Sequence, residues 1–121
     1  YLEYFGTVLT EHVGEKKINI EGEKNIDDVY IYNRDIQWLT TCNIVIAEVT
    51  IPSLGVGYEI AFAEKKNKPI LCLFRNNNNT KLSAMINGNK KLNCKEYNTL
   101  NEAKILIKDF IYKENNKIKS Y

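Results

Sequence analysis

The chain has 121 residues, 44% of them hydrophobic and 26% charged, with a formal net charge of +2. That length supports one core and a single domain over 1–121, and the composition is that of a soluble globular chain. The near balance of charge gives no case for a nucleic-acid or membrane partner, and no apolar run approaches the roughly 20 residues that span a bilayer.

The first recognisable element is a short strand, Thr7–Thr10. A parallel α/β domain opens with a strand and helix ahead of such a segment, so an opening βα unit is expected to lie outside this sequence. Residues 11–24 are polar and rich in Lys, Glu and Gly, as in an exposed loop. His12, just past the strand end, either lines a cleft or is solvated. Residues 26–40 carry Val29, Tyr32, Ile36 and Leu39 three and four apart, the stripe of an amphipathic helix. The apolar run Ile44–Val49 reads as a buried strand.

A loop follows with Pro52, Ser53, Gly55 and Gly57, and then a helix over 55–66 whose buried stripe is Val56, Ile60 and Ala63. Pro69–Phe74 is a second buried strand. The run Asn76–Asn79 is low-complexity and reads as an exposed loop. Leu82–Ile86 suits one or two helical turns, and Leu92–Tyr97 a last strand. A final helix starts near Thr99 with Glu102 at capping-box spacing and Leu100, Ala103, Ile107, Phe110 and Ile111 on its buried face. Strands alternating with helices define an α/β class, a doubly wound parallel sheet of Rossmann-like (flavodoxin-like) type.

Cys42, Cys72 and Cys94 are odd in number and widely spaced, with no CxxC and one histidine in the chain. No metal and no cofactor are expected, and the compartment expected is a reducing one, the cytoplasm and also the nucleus.

The chemistry candidates cluster after the Ile44–Val49 strand, where open α/β sheets bind ligands. Glu59, in the opening turns of a helix, has a carboxylate favoured by the macrodipole and suited to act as a nucleophile. The plainer reading is an ordinary acidic residue near a helix start. Asp35 borders the buried stripe of the preceding helix and is read either as facing the same cleft or as a surface aspartate. Ser53, Gly55 and Gly57 suit an anion held by helix-start amides without Cβ atoms in the way, or else a tight turn. Trp38 and the scattered tyrosines read as core or rim.

The segments Asp35–Leu39, Ala47–Thr50, Pro52–Glu59, Lys68–Arg75 and Leu82–Ile86, with Gly6–Val13 ahead of them, closely resemble the nucleoside 2-deoxyribosyltransferase family, and within it the members that hydrolyse deoxynucleoside monophosphates. The resemblance covers roughly residues 5–97, and the run Pro-Ser-Leu-Gly-Val-Gly-Tyr-Glu is its most specific part. That family opens with a strand and a glycine-rich loop of GSIRGG type, which the residues from Tyr1 onward do not contain.

The resemblance implies cleavage of an N-glycosidic bond to give a free base and 2-deoxyribose 5-phosphate. It implies a covalent glycosyl intermediate on Glu59, assistance in positioning and proton transfer from Asp35, and a phosphate held by Ser53 with Gly55 and neighbouring amides. It also implies a homodimer in which Ser83 reaches the partner subunit's site. Two alternatives stay open: a nucleoside deoxyribosyltransferase, which passes the sugar to another base, and a non-catalytic nucleotide-binding module.

Overall fold

The computed structural model describes residues 27–76 and 81–119. The strand expected at Thr7–Thr10, the polar segment with His12 and the asparagines at 77–79 lie outside the described residues. The chain divides into two compact units, Tyr1–Cys42 and Asn43–Tyr121.

In the first unit, α1 spans Asp28–Thr41. It starts where Asp27 places a carboxylate oxygen 2.7 Å from the amide of Tyr30, a side-chain cap for a donor that no helical carbonyl can reach. It ends as Cys42 turns extended, with Thr40 and Thr41 bonding back to the carbonyls of Ile36 and Gln37. Of the expected stripe, Leu39 is buried and Ile36 half-buried, while Val29 is 68% exposed and Tyr32 is also exposed. Periodicity fixes which residues share a face, not how much of that face is covered. Trp38 is half-buried on the rim, with the Arg34 guanidinium 4.7 Å from its ring centroid, a cation–π pair one turn apart.

The second unit holds a parallel sheet of three strands in the order β1-β2-β3 among the described residues: β1 Val45–Glu48, β2 Ile70–Arg75 and β3 Asn93–Tyr97. Val45 pairs with Ile70 and Glu48 with Leu73; Leu71 pairs with Asn93 and Arg75 with Tyr97. In β2, Ile70, Leu71, Cys72 and Leu73 are buried in succession. Successive strand residues face opposite ways, so both faces of the central strand are covered, which is why it reads as an unbroken apolar run.

Between β1 and β2 lies α2, Leu54–Lys65, packed on both strands through Ile60 and Ala63. Its stop is legible in Asn67-Lys68-Pro69. Asn67 adopts a left-handed φ of 59°, its amide donates to Glu64 O at 2.9 Å, and the Lys68 amide donates to Ala63 O at 3.0 Å. This is a Schellman close with asparagine in the usual glycine place, followed by a proline that cannot continue a helix.

The short α3, Ala84–Asn87, is a single turn that Gly88 closes. The turn after it is tied to α2 by the Asn89 amide group, which donates to a Glu64 carboxylate oxygen at 2.5 Å. The last helix, α4, runs Leu100–Lys119 and packs on β3 and β2. Thr99 Oγ1 accepts from the Glu102 amide at 3.2 Å, but the Glu102 carboxylate reaches the Asn98 amide at 2.8 Å rather than that of Thr99. Ala103, Ile107, Phe110 and Ile111 are buried as expected; Leu100, the first residue of the helix, is 69% exposed. No described helix is long and apolar enough to cross a membrane.

Candidate active site

The strands are parallel, so their carboxyl ends share one edge of the sheet. β1 leaves that edge through Val49–Pro52 into α2. Ser53, extended at φ −142°, caps α2 by accepting from the Val56 amide at 3.3 Å. Gly57 donates to Ser53 O at 3.0 Å. The amides of Leu54 and Gly55, at the first two positions of the helix, have no intrahelical acceptor and suit an anion.

Gly55 and Gly57 both have negative φ, and a Cβ built on either meets nothing within 4 Å. They lie inside the helix, so the tight-turn reading does not explain them. Among the described residues, neither backbone strain nor crowding demands glycine there; open space is what the two positions have in common.

Glu59 is half-buried. It is six residues past the cap, and no acidic residue occupies the first turn. The expectation of a carboxylate at the helix start is therefore refined: Glu59 sits in the second turn, about 9 Å along the axis from Ser53 at 1.5 Å per residue, and the macrodipole's hold fades beyond the first turn. Gly55 is four residues before Glu59 and so shares its face. Helical side chains in general lean toward the amino end of their helix, the side on which Gly55 lies.

Ser83 caps α3, its Oγ accepting from the Met85 amide at 3.3 Å. It is exposed, and Met85 beside it is 82% exposed, so the Leu82–Ile86 stretch is only half covered by its own chain. Asp35 stands on α1 in the other unit, with the Nε of Arg34 at 3.1 Å from its carboxylate. His12 lies outside the described residues. The structure thus gathers Ser53, Gly55, Gly57 and Glu59 on the opening turns of one helix. Among the described residues, no group of His, Cys, Asp and Glu could hold a metal ion.

Four residues at the same edge were not picked out by sequence reasoning. Glu48, the last residue of β1, accepts from the Thr50 amide at 2.6 Å and from the Tyr97 hydroxyl in a short hydrogen bond. Thr50 Oγ1 accepts from the Arg75 amide at 2.8 Å. Burial first, and then the hydrogen bond and charge of Glu48, push the Tyr97 hydroxyl up, against a smaller downward pull from Arg75 and Thr50. The available signal was one acidic residue closing an otherwise apolar strand. A hollow of about 420 Å³ bordered by Asn93, Phe110 and Lys113 lies at the start of β3, the opposite edge of the sheet from Ser53.

Among the described residues, a three-stranded parallel sheet with α2 leaving its carboxyl edge defines an α/β protein, and that edge is where such sheets place their ligands. The sequence model of nucleoside 2-deoxyribosyltransferase matches residues 1–116, and the chain belongs to that family. It is 52% identical over 87 residues to a 5-hydroxymethyl-dUMP N-hydrolase of Danio rerio, covering 72% of this chain and 61% of the relative. It is 51% identical over 88 residues to the protein of the same name from Homo sapiens and 50% identical over 88 to that from Mus musculus, in each case covering 72% of this chain and 51% of the relative. The chain therefore spans about half to three-fifths of the length of these relatives.

Proposed function

We propose that the protein hydrolyses the N-glycosidic bond of a 2′-deoxynucleoside 5′-monophosphate to a free base and 2-deoxyribose 5-phosphate. The observation that carries this reading is the half-identity to relatives named as N-hydrolases of a deoxynucleotide. The name those relatives bear makes 5-hydroxymethyl-dUMP the first compound to test. Glu59, on the helix face it shares with Gly55, is the nucleophile. Its carboxylate oxygen bonds to C1′ as the C1′–N bond breaks, and the bonding pair leaves with the base, which takes a proton delivered by Asp35. Water then attacks C1′, gives its proton to Asp35 and frees Glu59, as in retaining glycosidases. Ser53 and the amides of Leu54 and Gly55 hold the phosphate, with no metal or other cofactor. His12 is assigned to the substrate-binding set.

The assembly in this reading is a homodimer in which Ser83 completes the partner's phosphate site. Support comes from the apolar surface beside the two caps, Leu54 at 97% exposed together with Ile51, Tyr58 and Met85. The expected location is the cytoplasm, with the nucleus as a second compartment.

The test is base release by the full chain, followed by chromatography. Glu59→Ala is expected to lower the rate by at least about 10² to 10⁴, the scale of one lost proton-transfer group, while retaining binding of the monophosphate. Near wild-type release by that variant sinks the covalent mechanism. Transfer of the sugar to an added acceptor base in preference to water would make the protein a deoxyribosyltransferase, and tight binding without turnover a nucleotide-binding module.

A further inference from the structure

The hydrogen bond between Tyr97 and Glu48 joins residues 49 positions apart in the chain. Their strands are not neighbours, because β2 lies between them. Two strand spacings, about 9–10 Å, are bridged by one tyrosine reaching over the end of the central strand. The other carboxylate oxygen of Glu48 takes the Thr50 amide, and Thr50 in turn receives the Arg75 amide through its hydroxyl. The Asn76 amide donates to Tyr97 O at 3.3 Å. The carboxyl ends of all three strands are thereby laced together at the point where the loop to α2 departs. The Val49 amide still donates to Leu73 O at 2.8 Å, and at Thr50 the hold passes to side chains. Thr50 is beyond β1 and three residues before Ser53, so its two hydrogen bonds fix where that loop begins.

We propose that Tyr97 is a positioning residue for the candidate active site: through Glu48 and Thr50 it holds the loop that sets Ser53 and the opening amides of α2 against the substrate phosphate. The assignment rests on the reading of Ser53 as a phosphate contact. Tyr97 touches no reacting atom in this account. It acts through a carboxylate with both oxygens engaged, and a charged acceptor makes the stronger kind of hydrogen bond. The short loop from Val49 to Ser53 has a proline at 52 and leaves little slack between the anchored Thr50 and the capping Ser53.

The experiment compares the full chain with Tyr97→Phe, Thr50→Val and Thr50→Ser. Amide hydrogen exchange over 50–55 is expected to quicken at least about fivefold in Tyr97→Phe and Thr50→Val, to stay near wild type in Thr50→Ser, which keeps the hydroxyl, and to be unchanged over 71–73 in all three. In base release, the first two variants are expected to raise KM for the deoxynucleoside monophosphate about tenfold with kcat within about threefold, the signature of lost binding rather than lost chemistry. Unchanged exchange over 50–55 in Tyr97→Phe, an equal rise over 71–73, or a fall in kcat at constant KM overturns the proposal. Should the wild-type chain release no base, the hydrolase reading fails alone, and the exchange comparison still decides whether Tyr97 holds the loop.

Discussion

Gly55 stands one helical turn before Glu59 on the same face of α2, with nothing within 4 Å of the place where its Cβ would be. A methyl group at position 55 has room among the described residues and stands on the helix face that Glu59 shares. Gly55→Ala is therefore expected to fold at least as well as the wild type, since alanine is favoured over glycine in helices by up to about 1 kcal/mol. Base release is expected to fall about tenfold or more. Thermal melting and chromatographic assay on the same preparation check the two halves. A variant that melts several degrees lower would contradict the open space seen here.

Gly88 behaves in the opposite way. A Cβ there would lie 2.8 Å from the carbonyl oxygen of Ala84, and the Gly88 amide already donates to that oxygen at 2.8 Å. The single turn of α3 has no second turn to absorb the shift. Gly88→Ala is expected to destabilise the chain by about 1–2 kcal/mol, read as a lower urea midpoint at unchanged slope.

Asn67 closes α2 at a φ of 59°, where glycine is unstrained and β-branched residues are excluded by their Cβ substituents. Asn67→Gly is expected to stay within about 0.5 kcal/mol of wild type and Asn67→Val to lose about 1–2 kcal/mol. Urea denaturation of the two variants in parallel separates backbone strain from loss of the asparagine side chain.

Cys72 is wholly buried in β2, and burial, followed by the thiol of Cys94 paired beside it in β3, pushes its pKa from 9.0 to about 11. Folding favours the neutral thiol, so this contribution to stability is complete below pH 9 and is lost as the pH rises toward 11. The loss runs at no more than about 1.4 kcal/mol per pH unit. The urea midpoint should fall across that window more steeply in the wild type than in Cys72→Ala. Parallel curves for the two proteins would assign the alkaline loss to other groups.

Much of this architecture is legible in the sequence because it is local. Ile60 and Ala63 follow the helical period, Pro69–Phe74 is a continuous apolar run, and Asn67-Lys68-Pro69 spells a helix end. Ser53 was legible as a loop hydroxyl, and the structure adds that it is the cap of α2. What the sequence withholds is environment. Gly55 and Gly88 are the same letter, yet one faces open space and the other fits a gap too tight for a methyl group. Val29, Tyr32 and Leu100 keep the right spacing but are left uncovered, since exposure depends on what packs against a face. The Glu48–Tyr97 bond is invisible for a further reason: no local pattern relates residues 49 apart until a parallel sheet brings their strand ends to one edge.

That bond also links the histories of two positions. A carboxylate at 48 gains its second partner only while a hydroxyl stands at 97, and either residue replaced alone leaves the other with a partner lost. Neutral drift at one site is thus constrained by the state of the other. Across descendants of a common ancestor, positions 48 and 97 are expected to change together or not at all, while exposed neighbours such as Lys95 and Glu96 drift independently.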